Sequence, residues 1–234
     1  MSAAPLRLVF DPEDDELEAA RRCEADVFLA TYGNTAVELA AEYGPYEDAT
    51  GFLAVLDEGG DAVGAVRFIA PGPSGLKTLN DAGREPWKVD GVRSARSAGV
   101  DPERTWDVAT IAVRPGAGRG GLCAGALYHG IVAASAANSV DYLVMIMDSH
   151  ARLLLTNLGL RTHPLPGTRS GEYLGSPSST PLWVNIDRTS RYLRSESPDA
   201  YRLIFQGVGL DGIALPTDWV WRRRGAVSRS PRDG

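Results

Sequence analysis

The chain has 234 residues, of which 44% are hydrophobic, so it is long enough to bury a full core. Its formal net charge of −6 divides into −9 in residues 1–100 and +3 in residues 101–234. This distribution argues against a nucleic-acid-binding protein, and the lack of any run of 18 apolar residues argues against a membrane span. Two cysteines without metal or redox spacing indicate a reducing, cytoplasmic environment.

Apolar periodicity and turn residues predict an α/β chain with a single domain in residues 1–221 and a disordered tail in residues 222–234. We expect strands at residues 6–10, 51–56, 62–70, 106–113, 140–147, 161–166 and 181–187. We expect helices at residues 11–31, 36–43, 77–82, 119–137, 151–158 and 199–205.

The segment of residues 71–102 is rich in Gly, Pro and polar residues and shows only one short helical stretch. Segments of this length without regular structure are mobile or functional in compact domains. The sequence therefore predicts a substrate lid here.

A glycine-rich loop follows the β-branched strand at residues 106–113 and opens an Ala/Leu-rich helix. Glycines let a ligand approach the main chain, and the free N–H groups of a helix N-terminus attract phosphate. A dinucleotide fingerprint would need glycine where Cys123 stands, and no Walker lysine follows. A phosphate cradle and a plain strand-to-helix turn remain open at this point.

Val113-Arg114-Pro115 followed by Arg119-Gly120-Gly121-Leu122 resembles the acyl-CoA loop of the GNAT acyltransferase superfamily. The order of the predicted elements is similar to the GNAT order as well. The resemblance implies a central, mixed, twisted β-sheet flanked by helices in one domain. GNAT enzymes commonly carry a tyrosine general acid four residues before the glycine that ends the closing helix, and this chain has Leu155 there.

The N-terminal half resembles the acyl-homoserine-lactone synthases and the related long-chain N-acyl amino acid synthases. The similar motifs are Val27-Phe28, the acidic cluster of residues 42–47, the strand of residues 64–71 and Trp106-Asp107. Such enzymes transfer a fatty acyl chain, often from acyl carrier protein. Glu24 and Thr110 each stand where the lactone synthases have an arginine, so we expect a different N-acylated amine as the product.

Three residues are candidates for the reaction itself. Asp107 is our candidate base, directly or through water, although a structural acceptor is an alternative. Arg67 matches a substrate carboxylate, or instead pairs with Asp107 or Glu47. Glu47 attracts the amine, or is simply a solvated loop acid.

The donor thioester needs hydrogen-bond donors at its carbonyl and at its phosphates. Backbone N–H groups near Ala112 and Val113 are expected to receive the carbonyl. An acyl tunnel is expected along Leu143, Met145, Met147 and Trp183, unless these residues are only core. The phosphates are expected at Gly118, Arg119, Gly120 and Gly121.

The leading hypothesis is an N-acyltransferase that moves a fatty acyl group from acyl-CoA or acyl carrier protein to a small amine or amino acid derivative, without a metal. A basic surface in the second half would dock an acidic carrier protein, unless it is only a solvated face. An ordinary acetyl-CoA-dependent GNAT enzyme and a catalytically silent, partner-binding GNAT-like domain are the alternatives. The basic-surface candidates are Arg152, Arg161, Arg169, Arg188, Arg191 and Arg194.

Overall fold

The computed structural model describes residues 6–116 and 120–222. Its strands are β1 (Leu6–Phe10), β2 (Thr50–Leu56), β3 (Ala62–Ile69), β4 (Thr105–Val113), β5 (Tyr142–Asp148), β6 (His163–Pro164), β7 (Gly171–Tyr173), β8 (Ser176–Asn185) and β9 (Ile213–Ala214). Its helices are α1 (Asp14–Tyr32), α2 (Ala36–Tyr43), α3 (Lys77–Asp81), α4 (Gly91–Ser97), α5 (Gly120–Ala137), α6 (Ser149–Asn157), α7 (Ile186–Glu196) and α8 (Pro198–Gln206).

All the described strands form one mixed sheet, which confirms the predicted α/β class. The order across the sheet is β6-β8-β5-β4-β3-β2-β1-β9, and β7 pairs with β8. Strands β1 to β4 are antiparallel neighbours, β4 and β5 are parallel, and β5 and β8 are antiparallel. The parallel pair in the middle requires a crossover, and α5 supplies it.

Each face of the sheet carries its own apolar core. The larger core lies on the side of α5, where Leu127 and Ile131 contact β-strand residues such as Val66 and Val108. The other face is covered by α1 and α2 around residues 50–70, and by α3 and α4 over β5. Because both faces are covered, β2 and β3 are apolar along almost their whole length.

A β-bulge in β4 changes which residues face α1. The register pairs Phe68 with Val108 and Arg67 with Thr110, so Ala109 is the extra residue. A bulge shifts the alternation of side chains by one position. As a result Thr110 points to the same face as Asp107, toward α1, and meets Glu24 there.

The two central strands separate at the middle of β4. Pairing between β4 and β5 runs from Thr105–Tyr142 to Asp107–Val144, and the register gives no further pair. Beyond this point β4 continues to Val113 and β5 to Asp148. A gap therefore opens in the middle of the sheet, between the second half of β4 and the end of β5.

The prediction of an irregular lid over residues 71–102 is wrong in its structure. The segment contains two helices, α3 and α4, and its Leu76, Leu79 and Ala95 are buried against Val144 of β5. The Arg93 N–H donates an N-cap hydrogen bond to the Asp90 side chain, which supports α4 despite its weak helix propensity. The segment is a packed layer of the domain, next to β5.

Several other elements differ from the prediction. Helix α7 was not predicted, because Ile186 and Asp187 read as the end of a strand. Strand β8 begins at Ser176 rather than residue 181, because its first half is rich in Ser and Pro. Strand β7 was missed because it has only three residues. The predicted tail of residues 222–234 lies outside the described residues except for Arg222.

Candidate active site

The gap between β4 and β5 is the natural entrance for an extended ligand. Backbone N–H groups alternate in direction along a strand, so every second one in the separated part of β4 faces the gap instead of a strand partner. Ala112 and Val113 belong to this part of β4. The Arg114 N–H donates to the Val63 carbonyl at 2.9 Å, so the alternation turns the Ala112 N–H toward β3 and the Val113 N–H toward the gap. A ligand chain with amide groups can bind in the gap as an added strand does.

Two of the four residues predicted to bind phosphate lie at the same end of the sheet, where α5 begins. Gly120 and Gly121 are the first two residues of α5, while Gly118 and Arg119 lie outside the described residues. Gly64 of β3 lets α5 approach closely, since a Cβ there would come within 2.4 Å of the Cys123 Sγ. The first N–H groups of the 18-residue helix α5 are therefore held next to the end of β4.

A narrow apolar cavity of about 70 Å³ lies on the α5 side of the gap. Leu143, Met145 and Met147, which were expected along an acyl tunnel, line this cavity, whereas Trp183 contacts the cluster around Val144 on the opposite face of the sheet. Leu155, which stands where the resemblance places a tyrosine acid, is part of the wall. The remaining lining residues are Val108, Ile111, Tyr128, Ile131, Val132, Leu160, Thr162, Val184, Ile186, Thr189, Ile204 and Phe205.

Asp107 lies at the point where β4 and β5 separate, and its side chain is fully buried. Both carboxylate oxygens accept hydrogen bonds from Thr78 of α3, Oδ2 from the backbone N–H at 2.5 Å and Oδ1 from the hydroxyl at 2.8 Å. Burial raises the pKa of Asp107 to about 7, against the lowering effect of the Thr78 bonds. Asp107 therefore binds α3 to the sheet, and its pKa is close to the value that a general base needs.

Arg67 forms an ion pair with a residue that was not predicted from the sequence. Its guanidinium donates to both oxygens of Glu24, Nε to Oε1 at 2.9 Å and NH2 to Oε2 at 2.5 Å. Thr110 donates a hydrogen bond to Glu24, and the guanidinium lies 4.5 Å from the Tyr43 ring centroid and 4.7 Å from that of Phe52. Direct binding of a substrate carboxylate by Arg67 stays a prediction that requires this pair to open.

Glu47 lies at the edge of the same cluster, with about half of its side chain exposed. Its Oε1 pairs with Arg21, and its Oε2 lies 3.9 Å from NH1 of Arg67. Two guanidinium groups thus already balance this carboxylate. Its predicted attraction of the amine stays a prediction.

Comparison with solved structures agrees with this architecture. FeeM, an N-acyl amino acid synthase from uncultured soil microbes, has a TM-score of 0.61 at 14% identity over 81% of this chain and 95% of its own. BjaI, a CoA-dependent acyl-homoserine lactone synthase, has a TM-score of 0.56 at 16% identity over 92% and 94% of the two chains. The fold is the GNAT fold. The acyl-homoserine-lactone synthase LasI also shares it, with a TM-score of 0.53 at 12% identity over 79% and 91%.

No protein-family model and no curated protein matches the sequence. The predicted resemblance to the N-acyl amino acid synthases and acyl-homoserine-lactone synthases is confirmed at the level of the fold. Among the described residues, no helix is long and apolar enough to cross a membrane.

The GNAT fold here also carries a buried polar cluster that sequence reasoning missed. Lys77 of α3 donates to Asp81 at 2.5 Å and to the Tyr173 hydroxyl at 2.9 Å, and the hydroxyl donates to Asp81 at 2.6 Å. Burial and the neighbouring Asp81 raise the pKa of Tyr173, so it stays protonated. The one available signal was the i, i+4 spacing of Lys77 and Asp81, since Tyr173 is 92 residues away from Asp81 in the chain.

Part of the predicted basic surface comes together around His163. Burial and the charges of Arg188, Arg161 and Arg152 lower the pKa of this histidine. Three exposed leucines follow Arg152 in the sequence, on α6 and at its C-cap: Leu153, Leu154 and Leu158. Of the other predicted members, Arg191 pairs with Asp187, and Arg194 donates to the Tyr201 hydroxyl.

Proposed function

We propose that the protein is an N-acyltransferase that moves a fatty acyl group from a thioester to a small amine or amino acid derivative. The apolar cavity beside the β4–β5 gap carries this proposal. Its lining is almost entirely hydrocarbon, and each buried methylene contributes about 0.8 kcal/mol. At about 70 Å³ the cavity has room for only a few methylene groups, so a longer acyl chain would place part of its length here and the rest along the gap.

The reaction forms a C–N bond and breaks the C–S bond of the thioester. The amine must be neutral to attack, the oxyanion of the tetrahedral intermediate needs donors, and the leaving thiolate takes up one proton. In our proposal, the N–H of Val113, which faces the gap, donates to the oxyanion. Asp107 accepts the proton that the amine loses, through water, because Thr78 occupies both of its oxygens.

The donor is a phosphopantetheine thioester of CoA or of an acyl carrier protein. The N-terminus of α5, with Gly120 and Gly121, favours binding of CoA phosphates through its free N–H groups and its dipole. The arginines around His163 favour an acidic carrier protein as a docking partner. CoA-dependent enzymes occur among proteins of this fold, BjaI being one.

A thermal-shift panel tests the proposal, with CoA, acetyl-CoA, a long-chain acyl-CoA and an acylated carrier protein at matched concentrations. A ligand at about 100 times its Kd adds about 2.7 kcal/mol to the free energy of unfolding, or roughly 5–10 °C in Tm. We expect the long-chain donors to give larger shifts than acetyl-CoA. A shift with acetyl-CoA alone contradicts the fatty acyl reading, and no shift with any donor contradicts the proposed activity.

Val132 provides a matched pair of variants in the cavity wall. Val132→Phe fills the cavity and should weaken long-chain acyl-CoA by roughly 10-fold or more, since overpacking costs about 1–3 kcal/mol. Val132→Ala enlarges the cavity and should leave long-chain binding in place. If each variant changes the binding of acetyl-CoA and of long-chain acyl-CoA to the same extent, the acyl chain lies elsewhere.

A further inference from the structure

Helix α3 begins without a side-chain cap of its own and uses the carboxylate of Asp107 instead. Its N-cap residue, Leu76, makes no side-chain hydrogen bond, and the first N–H groups of a helix need acceptors. The backbone N–H of Thr78 donates to Oδ2 of Asp107 at 2.5 Å, and the Thr78 hydroxyl donates to Oδ1 at 2.8 Å. Thr78 is therefore bound to both oxygens of the carboxylate.

We infer that Thr78 is a positioning residue for the proposed general base, because its hydroxyl fixes the rotation of the Asp107 carboxylate and stabilises the charged form. The inference rests on the proposed N-acyltransferase function, in which Asp107 receives the proton that the attacking amine loses. Thr78 acts through Asp107 and exchanges no proton with the substrate.

The two hydrogen bonds from Thr78 have separate effects. The backbone N–H is present whatever side chain stands at this position, so it keeps α3 attached to β4. The hydroxyl adds a donor on the second oxygen. Donors on both oxygens fix the plane of a carboxylate, whereas one donor leaves it free to turn about its Cβ–Cγ bond. Loss of the hydroxyl therefore changes the carboxylate without detaching the helix.

Burial makes the hydroxyl bond important for the charge of Asp107. Thr78 is 3% exposed and Asp107 is 0% exposed. A buried oxygen that loses its donor has little water to replace it, so the charged form is disfavoured. Burial raises the pKa of Asp107, and the two bonds from Thr78 are the strongest influences that lower it again. We therefore expect the pKa to rise further when the hydroxyl is removed.

The other ionisable groups near the carboxylate are already paired or neutral. Lys77 lowers the pKa of the carboxylate and Asp81 raises it, and these two side chains are bound to each other at 2.5 Å. Burial and the charge of Glu24 raise the pKa of Tyr43 on α2, so its hydroxyl stays protonated. Glu24 of α1 is paired with Arg67 of β3. These groups therefore do not take over the part of the Thr78 hydroxyl.

A ¹³C NMR titration of the aspartate carboxyl groups tests the inference, with the Asp107 signal assigned by its loss in Asp107→Asn. The wild-type signal should titrate near pH 7. Thr78→Val keeps the shape of the side chain without its hydroxyl and should raise the midpoint by about one pH unit. Thr78→Ser keeps the hydroxyl and should titrate as wild type does. Equal midpoints in wild type and Thr78→Val overturn the inference.

Thr50→Val is the matched control. Thr50 is also a buried threonine, and its hydroxyl donates to the Tyr46 carbonyl at 2.9 Å. It lies on β2, which β3 separates from β4, so the variant should not move the titration of Asp107. If Thr78→Val does not fold, Thr78→Ser and Thr78→Ala are compared instead, because these two variants also differ only by the hydroxyl.

Rates of acyl transfer distinguish positioning from a purely structural role. Thiol release from a long-chain acyl-CoA is measured with hydroxylamine as the acceptor, since this amine is neutral at pH 7 and does not mask the titration of the base. Thr78→Val should lower kcat roughly five- to tenfold at pH 7 and less above about pH 9, where the carboxylate is charged again. Thr78→Ser should restore most of the rate.

A loss of rate that is the same at every pH, or that is equal in Thr78→Val and Thr78→Ser, overturns the inference. In that case the wild type is active, so the proposed function stands. If the wild type shows neither turnover nor a thermal shift with long-chain acyl-CoA, the proposed function fails, and the role of Thr78 in catalysis fails with it.

Discussion

Asp107 is a fully buried carboxylate whose proton affinity is tied to folding. Burial raises its pKa from 3.8 to about 7 in the folded protein. Below about pH 4 both the folded and the unfolded states hold the proton, and between about 4 and 7 the unfolded chain loses it first. The contribution of Asp107 to the free energy of unfolding therefore falls as the pH rises through this range.

Asp107→Asn removes this titration without removing the bonds to Thr78. The amide oxygen accepts from the Thr78 N–H, and the amide N–H donates to the hydroxyl, which can also accept. Compared with wild type, the variant should gain roughly 2–4 kcal/mol of unfolding free energy between about pH 4.5 and 7.5. Urea unfolding at a series of pH values measures the difference.

The control is Asp199→Asn, because the Asp199 side chain is almost fully exposed. Its difference from wild type should stay flat with pH. If the Asp107→Asn difference is equally flat, the carboxylate does not titrate in this range. The same variant should lower acyl transfer by about 10²–10⁴-fold if Asp107 is the base, and an unchanged rate would leave it only a structural role.

Glu24 shows what the sequence could and could not reveal at a single residue. It falls on the buried stripe of α1 together with Leu17, Ala20 and Cys23, so its burial was readable from the helical period. A buried charge needs a partner, and Arg67 occupies an inward position of β3. The pairing itself depends on how α1 crosses the sheet, which local spacing does not contain.

The Glu24–Arg67 pair joins helix α1 to strand β3, and Thr110 extends the contact to β4. Glu24→Gln leaves a buried guanidinium without its counter-charge and should cost about 3–5 kcal/mol of unfolding free energy. Glu24→Met/Arg67→Met removes both charges and should recover at least half of that loss. Urea unfolding of Glu24→Met, Arg67→Met and the double variant gives the coupling energy.

A matched pair for comparison is Asp187–Arg191, an exposed i, i+4 pair on α7. Its coupling energy should be below about 1 kcal/mol. If the losses of the two buried single variants simply add in the double variant, the pair does not act as a unit, and α1 is held by its apolar stripe alone.

At the scale of elements, the long periodic segments were predictable and the tertiary adjustments were not. The sequence placed α1, α2, β4 and α5 within a few residues, because their apolar periods are strong. The bulge at Ala109 cannot be recognised in the β4 sequence, because it depends on the pairing of β4 with β3. Helix α4 depends on its Asp90 cap and on burial of Ala95, which outweigh poor propensity.

The whole molecule was predictable as a fold because the order of its elements and the Gly loop match the GNAT pattern, and the solved structures confirm it. The cavity lined by Glu42, Asp81, Glu85 and Glu172 was not predictable in this way. These carboxylates come from three separate parts of the chain, and only the assembled domain brings Glu42, Asp81 and Glu172 together. Charge counted along the sequence gave the excess of acid in the first half, but not its place on the surface.

The excess of positive charge lies in the second half of the chain, where Arg152, Arg161 and Arg188 are grouped around His163. Exposed leucines of α6 follow Arg152. An acidic carrier protein would use such a surface, whereas CoA would not need it. Arg152→Glu/Arg161→Glu should therefore lower kcat/KM for the acylated carrier protein by roughly tenfold at low salt and leave that for acyl-CoA nearly unchanged. The control Arg93→Glu/Arg96→Glu makes the same charge change on α4 and should affect neither donor. Equal losses with both donors would indicate damage to the site itself, and no loss with the carrier protein would leave CoA as the donor to pursue.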